Sequence, residues 1–264
     1  MSDWTSSQAD SAGKRLRDGR ATEADEAFFR QFLAAHDEVL AAVVERLRRL
    51  TAPDGSRVEP AQRVKTRETL LEKLHRGSAL SRVQDVAGAR IAVDGTLDEQ
   101  DAMAAAVVEI LGGSVRTLDR RVEPNHGYRA LHLVAKVDGC WVEVQVRTKL
   151  QHLWAETYER LADKLGREIR YSESEEPRVT EMYALSDRIG AIEAWRVVLS
   201  ELKRRVSRLG MAIASMDATP ERDTAMHHVA DVQRELDQDL AELEAEAAAV
   251  ADRLVELYAI LTTP

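Results

Sequence analysis

Apolar residues recur along this chain with two different periods, and the switches between them mark its elements. From Thr22, the positions Phe28, Phe29, Phe32, Leu33, His36, Leu40, Val43, Val44 and Leu47 keep helical spacing, with Thr22 placed to cap the first turn. The run Thr51-Ala52-Pro53-Asp54-Gly55-Ser56 ends that helix. A second helix begins near Thr66 and carries Leu70, Leu71 and Leu74. Val83 to Val93 is strand-like, and Leu97 to Leu111 is helical, closed by Gly112-Gly113. Two strands follow around the turn pair Asp138-Gly139. In the second, Val142, Val144 and Val146 alternate with Glu143, Gln145 and Arg147, so one face is apolar and the other polar. In the first, Tyr128 and His132 share one parity. From Thr148 a long helix is striped by Leu150, Leu153, Trp154, Thr157, Leu161 and Leu165 and stopped by Gly166. The order helix–strand–helix–strand–strand–helix predicts an α/β (α+β) core, a small mixed sheet flanked by helices.

Outside this core, residues 1–20 are polar and rich in Ser, Gly and Arg, which predicts a flexible lead-in. The core domain takes residues 21–171, and Ser172-Glu173-Ser174-Glu175-Glu176-Pro177 opens a linker over 172–190. Residues 191–264 predict two long helices. The first carries Ile192, Trp195, Leu199, Leu202, Val206, Leu209, Ile213 and Met216. The second carries Val229, Val232, Leu236, Leu240, Leu243, Ala247, Val250, Leu254, Leu257 and Leu261, alternating steps of three and four. Thr219-Pro220 supplies a cap and a first-turn proline between them. A helical hairpin within one chain and a homo-oligomeric coiled coil both fit this pattern.

Composition narrows the function classes. Of 264 residues, 44% are apolar and 31% charged, a globular chain with ample core. The single cysteine, Cys140, excludes an internal disulfide and favours a reducing compartment. No apolar run approaches the roughly 18 residues that span a membrane. The start Met1-Ser2-Asp3-Trp4 lacks the regions of a signal peptide, so a cytoplasmic protein without a membrane partner is expected. The net charge of −9 is local: Asp217 to Pro264 holds 12 acidic and 3 basic side chains, and the rest of the chain is neutral. The acidity belongs to the tail.

Four places offer chemistry. In Arg63-Val64-Lys65-Thr66-Arg67-Glu68-Thr69-Leu70-Leu71-Glu72-Lys73-Leu74-His75-Arg76, the residues Lys65, Thr69, Lys73 and Arg76 have the spacing of one helix face. That face is a solvated basic surface or a phosphate cradle, which needs several converging cations. In Gln84-Asp85-Val86-Ala87-Gly88-Ala89-Arg90, an acid precedes a small-residue strand that a ligand can approach closely; a plain turn acid fits equally. In the hairpin, Glu143 joins Asp85 as a carboxylate pair able to share a magnesium ion beside nucleotide phosphates, while Tyr128 offers a flat face to a base. His152 and Glu156 share a helix face, but with no third ligand nearby a structural hydrogen bond outweighs zinc.

Together these places resemble the synthetase domain of RelA/SpoT-type alarmone synthetases. The resemblance rests on Arg63-x-Lys65 with Lys73, Asp85 with Arg90, Gly127-Tyr128-Arg129-x-x-His132 and Glu143-x-Gln145-x-Arg147-Thr148, and covers roughly residues 60 to 170. It implies a nucleotidyltransferase-like fold and transfer of pyrophosphate from ATP to the 3′-hydroxyl of GDP or GTP, with Mg2+ as cofactor. Residue by residue, it implies Asp85 and Glu143 as catalytic carboxylates and metal ligands, Glu143 serving the metal or activating the hydroxyl. Arg63 and Arg90 would sandwich adenine, and Tyr128 would stack on guanine. Lys65, Lys73 and Arg76 would hold phosphates, with Thr69, His132, Gln145 and Arg147 supporting substrate binding. Thr69 stands where the family usually has serine, and Pro124-Asn125-His126 stands where many members carry a lysine. The acceptor is therefore open, and a relative that modifies the tRNA 3′ end or adenosine nucleotides is the alternative. A catalytically silent nucleotide-binding scaffold is the second. His36-Asp37 is an isolated pair and does not suggest a companion hydrolase.

Overall fold

Burial follows the alternation on β5 (Cys140–Thr148): Val142, Val144 and Val146 are fully buried, while Glu143 and Gln145 on the other face are half-buried. The computed structural model describes residues 4–170 and 174–263. The chain forms two compact units. One takes Met1–Gly95, Glu99–Glu123 and Ala130–Thr148; the other takes Thr96–Asp98, Pro124–Arg129 and Lys149–Pro264.

The first unit is built on a five-stranded mixed sheet. β1 (Ala61–Val64), β2 (Ala87–Val93), β3 (Val115–Asp119), β4 (Leu131–Val137) and β5 lie in the order β1-β2-β5-β4-β3. β2 and β5 run parallel, and the other neighbours are antiparallel. The expected turn joins β4 to β5 at Asp138 and Gly139, whose φ values of 48° and 86° are those of a type I′ turn. The helices here are α1 (Ser6–Arg17), α2 (Glu23–Leu47), α3 (Arg67–His75) and α4 (Leu97–Leu111). The apolar sheet face packs its valines, Ala89, Ile91 and Leu133 with Leu40, Val43 and Val44 of α2 and Met103 and Val107 of α4.

Three expectations change in this unit. Residues 1–20 are not a flexible lead-in where they are described, because α1 occupies most of them (residues 1–3 lie outside the described residues). Thr5 and Gln8 form a capping box, with Thr5 N donating to Gln8 Oε1 at 2.8 Å and Gln8 N donating to Thr5 Oγ1 at 3.2 Å. The buried face of α1 is Ala9, Ala12, Gly13 and Leu16, small residues that hide a helix in a polar composition. The strand expected from Val83 starts at Ala87, after a 3-10 turn at Leu80–Arg82. β1 and β3 were not anticipated; they are edge strands whose residues are exposed or half-buried, so neither carries an apolar alternation.

The second unit contains α5 (Lys149–Leu165), α6 (Pro177–Ala214) and α7 (Pro220–Thr262). The linker expected over 172–190 is mostly helix. Residues 171–173 lie outside the described residues, and α6 starts at Pro177. Glu176 caps it, its carboxylate accepting from Arg178 N and Val179 N at 2.7 and 3.0 Å. Val179, Met182, Leu185, Ile189 and Ile192 then bury one stripe with Trp154 and Leu161 of α5 and Val250 and Leu254 of α7. Helical periodicity overrides the acidic run before it. Farther out, α6 and α7 form the antiparallel hairpin, laced by Arg188–Glu246, Arg196–Glu244 and Lys203–Asp237. Among the described residues no helix is long and apolar enough to cross a membrane.

Candidate active site

Strand register assembles the polar face of the sheet. Paired residues project to the same side, so Arg63, Gly88, Glu143, Val134 and Arg116 form one row across all five strands. An arginine stands at each end and a carboxylate at the centre. At about 4.8 Å per strand, each arginine backbone lies roughly 10 Å from that of Glu143. The next row holds Ala61, Arg90, Gln145, His132 and Leu118. Arg63 and Arg90 are therefore diagonal neighbours on β1 and β2, about 7–8 Å apart at the backbone, a spacing that arginine side chains bridge. Gly88 keeps the floor between Arg63 and Glu143 flat: a Cβ there would meet only their carbonyl oxygens, at 3.7 and 3.9 Å.

A hydrogen-bonded chain runs along β5. Arg147 Nη2 donates to Gln145 Oε1 at 2.7 Å, which obliges the Gln145 amide to present its NH2 group the other way. That group donates to Glu143 Oε2 at 2.8 Å, and His132 Nδ1 lies 2.9 Å from Glu143 Oε1. Burial pushes the Glu143 carboxyl up and the nearby Asp85 charge adds to it. The hydrogen bond and charge of His132, with the Gln145 hydrogen bond, outweigh both and hold it below the usual range. Arg147 is 2% exposed, so its link to Glu143 runs through Gln145.

Asp85 precedes β2. Lys73 of α3 donates to both its carboxylate oxygens, at 2.8 and 2.7 Å, and Lys65 approaches to 3.3 Å. Burial pushes the Asp85 carboxyl up, but the Lys65 charge and the Lys73 hydrogen bond win, and it too sits below its ordinary range. Asp85 and Glu143 open onto one cleft of about 260 Å³, lined also by Lys73, Ser78, Arg82, Gln84 and Arg116. Two ionised carboxylates facing one cleft fit a magnesium ion, which takes oxygen ligands and commonly uses one or two protein carboxylates with substrate phosphates. Among the described residues no group of three or more His, Cys, Asp or Glu side chains gathers to hold a metal.

The remaining sequence candidates divide. α3 begins at Arg67, so Lys65 precedes the helix yet converges with Lys73 on Asp85. The Thr69 hydroxyl is 2.8 Å from Thr66 Oγ1 and donates to Thr66 O at 3.1 Å, inside the helix cap. Arg76 is the C-cap of α3, exposed and 3.6 Å from Glu72. Tyr128 requires a correction. β4 begins at Leu131, so Tyr128 and His132 do not share a strand. Tyr128 closes a separate turn with Asn125 whose central residues His126 and Gly127 have φ of 49° and 79°, again type I′, and this turn belongs to the second unit. His36 is 1% exposed, with Nδ1 2.8 Å from Phe32 O and its ring 4.3 Å from that of Phe32, a core histidine. Sequence reasoning missed Ser78, Arg82 and Arg116. Arg116 donates to Gln84 Oε1 at 2.6 Å, and only the pairing of β3 with β4 brings it to the cleft.

Comparison with known proteins finds matches in both sequence and fold. Residues 62–168 match the family model described as "Region found in RelA / SpoT proteins". "Uncharacterized protein Rv1366" of Mycobacterium tuberculosis is 36% identical over 176 residues, 66% of this chain. "Uncharacterized protein Mb1401" of Mycobacterium bovis matches equally, and the match spans 64% of the length of each relative. Among solved structures, the small alarmone synthetase 1 from Bacillus subtilis bound to its product pppGpp superposes with a TM-score of 0.52 at 22% identity, covering 68% of this chain and 98% of that one. The small alarmone synthetase 2 from the same organism gives 0.50 at 17% identity, covering 66% and 98%. The fold is shared.

Proposed function

We propose that this chain, whose residues 62–168 match the RelA/SpoT family model, is a small alarmone synthetase, transferring pyrophosphate from ATP to the 3′-hydroxyl of GDP or GTP. The observation that carries this reading is the cleft that Asp85 and Glu143, both held ionised, line together with Lys73. Pyrophosphoryl transfer is mostly a matter of position and charge, so it calls for cations, an acid pair and an oriented hydroxyl.

Magnesium held by Asp85 and Glu143 would supply neutralisation of the phosphoryl charge. Lys73 and Lys65 are the cations for the donor polyphosphate, and Arg63 with Arg90 bracket a planar base from adjacent strands. Glu143 accepts the proton of the acceptor 3′-hydroxyl as that oxygen bonds the β-phosphorus of ATP and AMP leaves from it. Its Oε1 is steadied by His132 and its Oε2 by Gln145, whose amide Arg147 holds in one orientation. Tyr128 takes the acceptor base by stacking. The reading places the protein in the cytoplasm, where both nucleotides are found.

The deciding experiment incubates the purified chain with ATP labelled in its β-phosphate, magnesium and, separately, GDP, GTP, AMP or deacylated tRNA. Label on guanine nucleotides supports the reading. Label on tRNA or AMP alone replaces it with the alternative that modifies those acceptors, and no transfer at all leaves a silent nucleotide-binding module.

A further inference from the structure

The Asn125–Tyr128 turn is seated on α6. Tyr183, Ser186 and Gly190 stand at i, i+3 and i+7, one face of that helix, and each meets the turn or the residue after it. Ser186 Oγ donates to the Gly127 carbonyl at 2.5 Å. Gly127 has no room for a side chain: a Cβ would lie 2.8 Å from Trp154 Cζ2 and 3.2 Å from Tyr183 Cδ1. Trp154 is itself fixed, its Nε1 donating to Met182 O at 2.6 Å. Arg129, directly after Tyr128, lays its guanidinium over Gly190, where a Cβ would stand 2.8 to 2.9 Å from Cζ and both Nη atoms. Its Nε also donates to Ser186 O and Oγ at 3.2 and 3.1 Å. Close approach to the fixed Trp154 ring demands glycine at 127, whereas at Gly190 a Cβ would push aside the flexible end of Arg129.

We propose that this face of α6 is a positioning surface for acceptor recognition. It holds the turn closed before a nucleotide arrives, so that affinity for the acceptor depends on Ser186 and Gly190. The inference rests on the reading of Tyr128 as the residue that stacks on the acceptor base. A segment ordered in advance loses no further conformational entropy when its ligand binds, so the clamp strengthens acceptor binding without a contact of its own. The groups assigned to ATP lie on β1, β2 and α3 and near their ends, outside the unit that contains the turn. The clamp is accordingly expected to act on acceptor affinity and not on donor affinity.

The test uses the full chain and two readouts. In steady-state kinetics, Ser186→Ala, which removes the bonds that Ser186 Oγ makes to Gly127 O and accepts from Arg129 Nε, raises the acceptor KM about three- to tenfold and leaves the ATP KM unchanged. Gly190→Ala, which displaces the Arg129 guanidinium, gives the same split; should it fail to fold, Ser186→Ala decides alone. An unchanged acceptor KM, or an ATP KM that rises in parallel, overturns the proposal. The second readout needs no catalysis. The Tyr128 amide, which donates to Asn125 O at 3.0 Å, is protected from hydrogen exchange in the nucleotide-free wild type and loses protection in Ser186→Ala. Rapid exchange in the wild type, or equal protection in both, refutes the clamp. A wild type that transfers nothing to guanine nucleotides sinks the synthetase reading instead, and the exchange result still decides whether α6 holds the turn.

Discussion

Lys73 places its ammonium 2.8 and 2.7 Å from the two carboxylate oxygens of Asp85, so the acid proposed for the metal and a cation proposed for phosphate neutralise each other in the nucleotide-free chain. On the proposed reading, nucleotide binding is an exchange of partners: Lys73 turns from carboxylate to phosphate, and both Asp85 oxygens become available to the cation. Neither charge needs to be created or removed.

Asp85→Asn tests that arrangement. It keeps the shape and removes the charge, so transfer falls by about 10²- to 10³-fold, the scale of losing one transition-state charge contact. The pair is partly exposed, with Lys73 and Asp85 side chains 35% and 27% accessible. Folding therefore loses only about 1 kcal/mol, which moves the melting midpoint by about 2–4 °C. Rates and calorimetry on the same preparation check both halves. A near-normal rate removes Asp85 from the mechanism.

Gln145→Leu tests the chain along β5 through pH. The Gln145 hydrogen bond is one of the causes that hold the Glu143 carboxyl low, so its removal raises that pKa. A general base works only when deprotonated, and activity is lost as pH falls through its pKa. The acid limb of kcat/KM therefore moves to higher pH in Gln145→Leu, and by a smaller amount in Arg147→Met, which frees the amide to turn. Acid limbs that superpose on the wild type would deny Glu143 the role of base.

His36 gives a stability prediction with a definite sign. Burial, foremost, holds its pKa below the ordinary histidine value. In the unfolded chain the imidazole takes up a proton near pH 6.5, while the folded chain keeps it neutral. Below that pH the unfolded state binds more protons, so stability falls as pH drops. In His36→Phe that contribution is absent, and the wild type loses more stability than the variant between about pH 7 and pH 5. Denaturant titrations at the two pH values measure it; equal losses in both chains would contradict the buried, neutral state.

Gly13→Ala tests the docking of α1. In a free helix this change stabilises by about 1 kcal/mol. Here the added Cβ would stand 2.8 Å from Leu80 Cβ, and overpacking costs about 1–3 kcal/mol. Net destabilisation of about 1 kcal/mol is expected from the difference of those two effects. A gain in stability would mean that the first helix is loosely held.

Local pattern alone was enough for much of this protein. Thr22, Thr66 and Thr219 cap the helices they precede, because an N-cap is decided within three residues of chain. The valine alternation on β5 and the turn at Asp138-Gly139 are likewise local, and both stand as read. So is the order of Arg63, Lys65, Lys73, Asp85, Tyr128 and Glu143 along the chain, which carried the resemblance. What the sequence concealed lay where apolar signal was weak: α1 packs through alanine and glycine, β1 and β3 are edge strands, and the start of α6 follows an acidic run.

Tertiary structure decided which of these residues meet. Ser186 reaches Gly127 across 59 positions and Arg116 reaches Gln84 across 32, contacts that no periodic pattern encodes. The five-strand row from Arg63 to Arg116 depends on register between strands, and a slip of one residue would send Glu143 to the core face. The amino-acid order determined the elements and the chemical groups available, since helices, caps and turns answer to neighbours in sequence. Packing determined that Glu143 and Asp85 share a cleft and that the turn ending at Tyr128 is seated on α6, because burial and pairing join residues distant in the chain.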